Sequence, residues 1–497
     1  MPPDTTSLCR VCKKGLPAAH VERDGGIWLE KTCLEHGFQT VQIAVDAEWW
    51  RRTLAEGALP TPPDAKKEVT HGCPFDCGPC TQHQQRVHLP ILPITAACNL
   101  DCPICYTHNH SAGEGGHPSG EGGAERGAWH LDDGQLDAVL RHLRVAAPEA
   151  RLLNLTGGEP TMHPRLLEVL ERCHAEGIDR VTLSTHGLRL ARDEALVSRL
   201  AALGVRVVLS FDSFDEGTNE AMLGGGFGAL KIRALEMLAK YGVDTTLLPV
   251  LAKGRNDHEI GLFVAYMLGH DHIRSLELHP MTFTGQGGNS FDRAARLTAD
   301  EAVRSTAAQC GLSVDDFVPS PLAHPLCYQC AYLLKLDPVA GGIGAGDAGL
   351  WVPFTRFMRR DQLRALLTEG LYLLPGPRLD GVFQEVIDAL WSGAFPCRES
   401  EAVLATLRRL LHEMFAPGLS DRERVRVAER STRALYIHTH MDEESFDTDR
   451  VRLCPVGIRE PDGTNVPSCS YNVLYRSHDP RFVAHPAPML TEGGRRW

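Results

Sequence analysis

Cys98, Cys102 and Cys105 fall in the run Ala97-Cys98-Asn99-Leu100-Asp101-Cys102-Pro103-Ile104-Cys105-Tyr106. Three thiolates at this spacing can ligate three corners of a cubane four-iron cluster and leave the fourth iron without a protein ligand, where chemistry can occur. The same spacing recurs at Cys73, Cys77 and Cys80, in His71-Gly72-Cys73-Pro74-Phe75-Asp76-Cys77-Gly78-Pro79-Cys80. This upstream triad precedes the first strand expected of the central region, so it reads as an auxiliary cluster in need of a fourth ligand. Cys327 and Cys330, Cys454 before Pro455, and Cys469 are the candidate thiols, enough to close one cluster and build most of another. Cys173, Cys310 and Cys397 read as ordinary buried thiols.

A third pattern lies at the N-terminus, where Cys9 and Cys12 are followed about twenty residues later by Cys33 and His36. Two ligand pairs on facing turns are what a tetrahedral zinc ribbon or a mononuclear iron knuckle requires. The competing reading makes His36 a surface residue and leaves a three-ligand site. A turn is expected at Gly25-Gly26, and Pro60, Pro62 and Pro63 mark the exit of this module.

Positioning these groups requires a scaffold, and residues 91–285 supply an alternation. Strands are expected at 92–95, 152–156, 181–185, 205–211, 245–251 and 275–279, with helical periodicity at 136–143, 166–173, 196–203, 230–238 and 260–268. Six such units predict a parallel sheet with right-handed crossovers, closing into an open, partial (β/α)6 barrel with its active site at the C-terminal strand ends. A closed dinucleotide-type sheet is the alternative topology, but no Gly-rich phosphate fingerprint follows the first strand. The barrel interior reads as apolar and unspecialised. Residues 109–127, rich in Gly, Ser, Glu and His, cannot pack a core and read as a tolerated insertion or as a flap beside the triad. The expected organisation is a metal knuckle over 1–66, an auxiliary-cluster segment over 67–90, the barrel over 91–285, and a cysteine-containing C-terminal region over 286–497 that covers the barrel mouth.

Length and composition agree with an α/β protein of more than one core: 497 residues, 43% hydrophobic and 23% charged. A net charge of −12 argues against a nucleic-acid partner. No run of about 18 uncharged apolar residues predicts a transmembrane segment, and Met1-Pro2-Pro3-Asp4 lacks the pattern of a secretory signal. The expected location is the cytoplasm, with a place peripheral to the membrane as the variant. Sixteen cysteines in a reducing compartment point to metal.

The motifs at three strand ends carry a family resemblance: Cys98-x3-Cys102-x2-Cys105 after the first strand, Gly157-Gly158-Glu159-Pro160 after the second, and Ser210-Phe211-Asp212 after the fourth. Together they resemble the core of the radical S-adenosylmethionine (SAM) superfamily. The resemblance implies a SAM-binding 4Fe-4S cluster on Cys98, Cys102 and Cys105, with SAM chelated at the open iron. It implies cofactor contacts from Gly157, Gly158, Glu159, Thr185, Ser210 and Asp212. Bare glycines let ligand approach the backbone, Glu159 is a carboxylate acceptor for the SAM ammonium or ribose, and Ser210 and Asp212 suit ribose hydroxyls. Ser210 and Thr185 have a second reading as caps of the following segments. Residues 251–257 resemble the family's fifth-strand region near the adenine. The chemistry implied is reductive cleavage of SAM to a 5′-deoxyadenosyl radical that abstracts hydrogen from an unactivated carbon, with no catalytic residue assigned beyond the SAM cluster.

A narrower group resembles this chain in the order of its N-terminal knuckle, the upstream triad, the core triad, Thr284-Gly285-Gln286-Gly287-Gly288, His324-Pro325-Leu326-Cys327-Tyr328 and Pro467-Ser468-Cys469-Ser470-Tyr471-Asn472. It is the group of archaeal tetraether lipid synthases and dihydropterin methyltransferase-like proteins, which implies a mononuclear iron or zinc in the knuckle and one or more auxiliary 4Fe-4S clusters. The first expectation is radical carbon-carbon bond formation as in the tetraether synthases. The alternatives are a radical SAM methyltransferase acting on a pterin or other small molecule, a peptide-modifying maturase, and a non-catalytic iron-sulfur electron-relay protein. Partners expected are a reductant such as flavodoxin or ferredoxin and a lipid or small-molecule substrate. The leucine-rich run 363–374 reads as a core helix, or as the wall of a lipid channel.

Overall fold

The computed structural model describes residues 2–64, 68–78, 80–107, 128–146, 152–178, 180–337 and 350–483. The insertion expected over 109–127 lies outside them.

Strands β1 (Thr5–Leu8), β2 (Gly15–Arg23), β3 (Gly26–Cys33) and β4 (Gly37–Ala44) form an antiparallel meander in sequence order. Arg23 pairs with Gly26, so the β2–β3 turn is centred on Asp24 and Gly25, one residue earlier than expected. Both have positive φ, 53° and 77°, which suits the type I′ turn that matches hairpin twist. Helix α1 (Ala47–Ala55) follows, its first turn capped by Asp46, whose carboxylate accepts from Glu48 and Trp49 N–H.

The central sheet is built from β5 (Leu89–Thr95), β6 (Leu152–Gly157), β7 (Arg180–Thr185), β8 (Arg206–Ser210), β9 (Thr245–Leu248), β10 (Val250–Leu251) and β11 (Ile273–Pro280). β5, β6, β7, β8, β9 and β11 are neighbours in that order and all parallel, while β10 pairs with the end of β11. Helices α2 (Asp133–Ala146), α3 (Leu166–Ala175), α4 (Glu194–Leu203), α5 (Glu216–Leu223), α6 (Gly228–Lys240) and α7 (Ile260–Gly269) make the crossovers. Alternation in the strands assigns the two faces: Leu153, Leu155, Val181, Leu183, Val207 and Leu209 are fully buried in the hydrophobic core they share with the helices, and the residues between them face the barrel interior.

That interior keeps the apolar lining expected at Ile91, Leu152, Val208 and Leu248 but sets polar groups among them. Asn154, Thr156, Thr182, Ser184, Arg180, Arg206, Thr246, Ser275 and Glu277 point into it. Asn154 Oδ1 accepts from Thr182 (2.8 Å) and Ser184 (3.1 Å), and the hydroxyls of Thr246 and Ser275 are 2.8 Å apart. Polar groups buried in hydrogen-bonded pairs avoid the cost of desolvation, so period-two alternation hid a polar face behind an apolar one.

The C-terminal region does more than cover the barrel mouth. Its strands are β12 (Val318–Pro319), β13 (Tyr328–Leu336), β14 (Leu350–Pro353), β15 (Thr432–His438), β16 (Val456–Arg459) and β17 (Asn465–Pro467). β15 joins β11 in parallel and β16 joins β5 in parallel, so the described sheet holds eight consecutive parallel strands, flanked by antiparallel β13 and β17. Helices Pro377–Trp391, Ser400–Met414 and Asp421–Ser431 contribute to a second apolar core with β13 and β14. The run 363–374 divides: Leu363, Leu366 and Leu367 are buried in that core, Leu371 and Tyr372 line the barrel cavity, and Leu373 belongs to both.

Candidate active site and metal centres

A cavity of about 380 Å³ runs from the loop after β5 down to the first residues of β7 and β8. Its upper wall holds Cys98, Cys102 and Cys105 together with Gly157, Gly158, Glu159, Thr185, Ser210 and Asp212, so every residue expected around the SAM cluster faces one space. Burial pushes the Cys98 thiol up to about 12 and Cys102 well above the usual thiol range, with the neighbouring cysteines adding to both. Cys98 and Cys102 ionise in place with cationic metal beside them, and iron of a 4Fe-4S cluster is an acceptor that suits these thiolate donors.

Their positions come from β6. A Cβ on Gly157 would stand 2.1 Å from Thr95 O, and one on Gly158 would stand 2.3 Å from Ala97 O. The freed space lets Gly158 N–H donate to Thr95 O (2.8 Å) and Glu159 N–H to Ala97 O (2.7 Å), clamping the cysteine loop to the neighbouring strand end. The glycines therefore bring backbone to backbone as well as bordering the ligand space.

Glu159, expected as a direct acceptor for SAM, also accepts from protein donors. Oε1 accepts from Thr161 N–H (3.0 Å), Thr161 Oγ1 (2.6 Å) and Thr185 Oγ1 (2.6 Å), while Oε2 accepts from His186 N–H (2.9 Å). These bonds brace the ends of β6 and β7. Thr185 takes part on both sides, its hydroxyl donating to Glu159 and accepting from Gly187 N–H. Asp212 Oδ1 accepts from Val250 N–H (3.0 Å); burial raises its pKa, and the Lys231 ammonium 3.9 Å from Oδ2 opposes this. Lys231 also donates to Ser210 O.

Lys231 was not singled out in the sequence. It is fully buried on the face of α6 that carries Ala234, Leu235 and Leu238, and a lone Lys at that helical spacing was its signal. The same cavity is lined by Glu277, His279, Tyr328, His438 and His440, also unassigned in the sequence. At the base, Glu429 pairs with Arg180 (3.2 Å) and Arg206, Asp244 pairs with Arg274 (2.7 Å), and the Tyr372 ring lies 4.1 Å from the Arg180 guanidinium.

The knuckle brings Cys9, Cys12, Cys33 and His36 together with one ligand atom each within 4.8 Å of the others. His36 Nδ1 is 3.6 Å from Cys9 Sγ and 3.5 Å from Cys33 Sγ, separations suited to one tetrahedral ion. Burial opposes ionisation of Cys9, but hydrogen bonds from the backbone of Cys12 and Val11 and from Gln39 carry it down to about 6.

Cys73, Cys77 and Cys80 share a loop folded around Asp76, whose Oδ2 accepts from Thr70 (2.9 Å), His71 (2.5 Å) and Gly72 (2.8 Å) N–H groups. Tyr475 ties it to the C-terminal region, donating to Pro74 O (2.9 Å) and accepting from Cys77 N–H (3.2 Å). Cys327, Cys454 and Cys469 converge on a small cavity of their own, where Arg450 Nε donates to Cys327 Sγ (3.2 Å) and Met441 N–H to Cys469 Sγ (3.3 Å). Cys330 does not join them. It belongs to β13, buried in the second apolar core with Tyr328 and Tyr332, so the Cys327/Cys330 pairing expected from sequence is broken by a strand that begins between them.

A family model for the radical SAM superfamily matches residues 92–267, and one for the HMPTM N-terminal zinc ribbon domain matches residues 1–44. The chain is similar to a 7,8-dihydro-6-hydroxymethylpterin dimethyltransferase of Methanocaldococcus jannaschii, 25% identical over 488 residues that cover 95% of this chain and 94% of the relative. It is also similar to the mycofactocin maturase MftC of Mycobacterium ulcerans, 28% identical over 209 residues, 42% of this chain and 51% of the relative. Among solved structures, SuiB of Streptococcus suis bound to S-adenosylmethionine superposes with a TM-score of 0.36 at 16% identity, covering 46% of this chain and 47% of that one.

Proposed function

We propose that this chain, an enzyme of the radical SAM superfamily that uses a 4Fe-4S cluster and SAM, is a methyltransferase acting on a pterin or a similar polar heterocycle. The observation that carries the reading is the set of polar groups set into the cavity wall. Apolar side chains such as Ile91, Leu152, Val208, Leu248 and Leu371 line much of it, but Asn154, Thr182, Ser184, Thr246, Ser275 and Glu277 face it as well, above a base of Arg180, Arg206 and Glu429, a density of polar and charged groups that a channel for lipid tails does not need. A heterocycle with ring nitrogens and a carbonyl meets such groups with hydrogen bonds. The end-to-end similarity to a pterin dimethyltransferase supports the same reading and favours methyl transfer over the carbon-carbon coupling first expected.

When bound at Cys98, Cys102 and Cys105, the cluster supplies the electron that opens SAM to radical chemistry at an unactivated carbon. Gly157, Gly158 and Glu159 hold the loop that carries those thiols. His186 reaches Asn99 across the same loop, Nε2 to Oδ1 2.7 Å, and Arg476 donates to Gly157 O (3.4 Å). The buried Lys231–Asp212 pair fixes the end of β8 against β10. Tyr106, at the end of the loop, stacks on His440 at 5.5 Å between ring centres and closes the space on that side. Cys73, Cys77 and Cys80 suit an auxiliary cluster, as do Cys327, Cys454 and Cys469, and the knuckle suits a single zinc or iron. The electron donor fits a cytoplasmic carrier such as flavodoxin or ferredoxin; among the described residues no helix is long and apolar enough to cross a membrane.

The test is anaerobic holoenzyme with SAM, reductant and, in separate reactions, a dihydropterin, an archaeal lipid and a peptide fraction. The dihydropterin is expected to stimulate 5′-deoxyadenosine release and to gain one or two methyl groups by mass. Stimulation by lipid alone overturns the reading.

A further inference from the structure

The wall of the cavity beside Tyr106 gathers three imidazoles from separate parts of the chain. His279 sits near the end of β11, His438 ends the neighbouring β15, and His440 follows two residues later. One ring nitrogen of each lies within 4.8 Å of the other two. The rings crowd together, with centres 5.1 Å apart for His279–His438, 5.0 Å for His279–His440 and 4.2 Å for His438–His440. All three border the cavity, so the group is closed by protein on one side and open to a ligand on the other.

A carboxylate stands beside them. Glu277 Oε1 accepts from Tyr328 Oη (3.0 Å) and lies 3.0 Å from His279 Nε2 and 3.3 Å from His438 Nδ1. It orients both rings and contributes the negative charge that lowers the cost of a buried cation. The nearby cation, Arg450, is committed elsewhere, to Cys327 Sγ and Thr439 O. Glu277 occupies His279 Nε2 and His438 Nδ1, which leaves the second nitrogen of each of those rings for a cation, and His440 Nδ1 lies 3.7 Å from Cys469 Sγ.

We propose that His279, His438 and His440 bind one divalent transition-metal ion, zinc or ferrous iron, with an open coordination position facing the cavity. Imidazole is the ligand type such ions favour, and three protein ligands with one open position are the arrangement of a Lewis-acid centre rather than a structural one. The nitrogens need only close from their present spread to ligand distances of about 2.0–2.1 Å. In the barrel the ion would take a ring nitrogen or carbonyl oxygen of the substrate and hold it against the SAM-cluster side. That role rests on the heterocycle reading above; the metal site itself does not.

The experiment uses full-length protein carrying Cys9→Ser and Cys12→Ser, which removes the knuckle's ion, loaded anaerobically with its iron-sulfur clusters and then with Zn2+ alone. Zinc content is measured with iron and sulfide, and zinc X-ray absorption reports the ligand type. About one equivalent of zinc with a nitrogen shell and no sulfur shell is expected, and His279→Ala with His438→Ala is expected to lose it while iron and sulfide stay constant. Absence of bound zinc in the Cys9→Ser/Cys12→Ser protein overturns the proposal, and so does zinc retained undiminished in the histidine variant. If the histidine variant fails to fold, the ligand shell of the Cys9→Ser/Cys12→Ser protein decides alone, sulfur ligation overturning the site. None of these readouts uses a substrate, so failure of the pterin assay leaves them unaffected.

Discussion

Gly158 sits so close to Ala97 that a Cβ would come within 2.3 Å of the Ala97 carbonyl oxygen and 2.7 Å of Ala96 O. The obstacle is backbone, which cannot rotate aside. Gly158→Ala is therefore expected to push the cysteine loop off β6, lowering SAM cleavage at least tenfold and reducing iron retained on the Cys98 triad. Iron content and 5′-deoxyadenosine formation in the purified variant check this.

Glu159 is an acceptor for four protein donors. Glu159→Gln puts an amide N–H against one of them and leaves a buried donor unmatched, at roughly 1–3 kcal/mol. The variant is expected to show a lower urea midpoint and a raised KM for SAM. An unchanged midpoint with lost SAM binding would instead make the carboxylate a direct ligand contact.

Cys327→Ala and Cys330→Ala should behave differently although the residues are three apart. The first removes a thiol from the group with Cys454 and Cys469, so iron is expected to fall by up to about four per chain. The second leaves iron unchanged and costs about 1 kcal/mol for a small void in an apolar core. Iron and sulfide counts separate the two.

His36 is the exposed member of the knuckle. His36→Ala leaves three thiols and is expected to weaken metal retention at least tenfold against a competing chelator, with the barrel's iron unaffected.

His272 supplies a pH signature. Burial, then the charges of His270, Arg274 and Arg433, lower it to about 4, so the folded protein holds it neutral. Its contribution is fully present above the unfolded value near 6.5 and is lost as pH falls from there towards 4, at about 1.4 kcal/mol per pH unit. Urea denaturation between pH 7 and pH 4 is expected to show this slope, and His272→Asn to flatten it.

The parts written in local sequence were legible. The six βα units follow from alternating periodicity, and the SAM-cluster triad and the knuckle follow from ligand spacing that places thiols on single turns. What was hidden depends on distant chain. Nothing in 432–438 or 456–459 announces that these strands extend a sheet begun at Leu89, because parallel pairing leaves no turn signature between partners. The histidine group was hidden for the same reason, its members arriving on two strands far apart in sequence. Glu159 was legible as a carboxylate near the site but not as one bonded to four protein donors, since these lie across β6, β7 and the turn between. Cys330 misled because a two-residue gap resembles a ligand pair until a strand turns the second thiol inward.

The pairing of β16 with β5, Val456 with Leu89 and Ile458 with Ile91, sets an order of assembly. While the ribosome is still making the second half of the chain, the edge of β5 stands unpaired, and the thiol loop that follows it lacks the wall that Arg476 and Asn472 later provide. Iron delivered to the nascent chain would meet a half-built site open to oxygen and water. The thiol loop is therefore expected to be complete only once β16 has closed the edge of β5, and a holdase that shields β5 until then is expected to raise the yield of loaded protein.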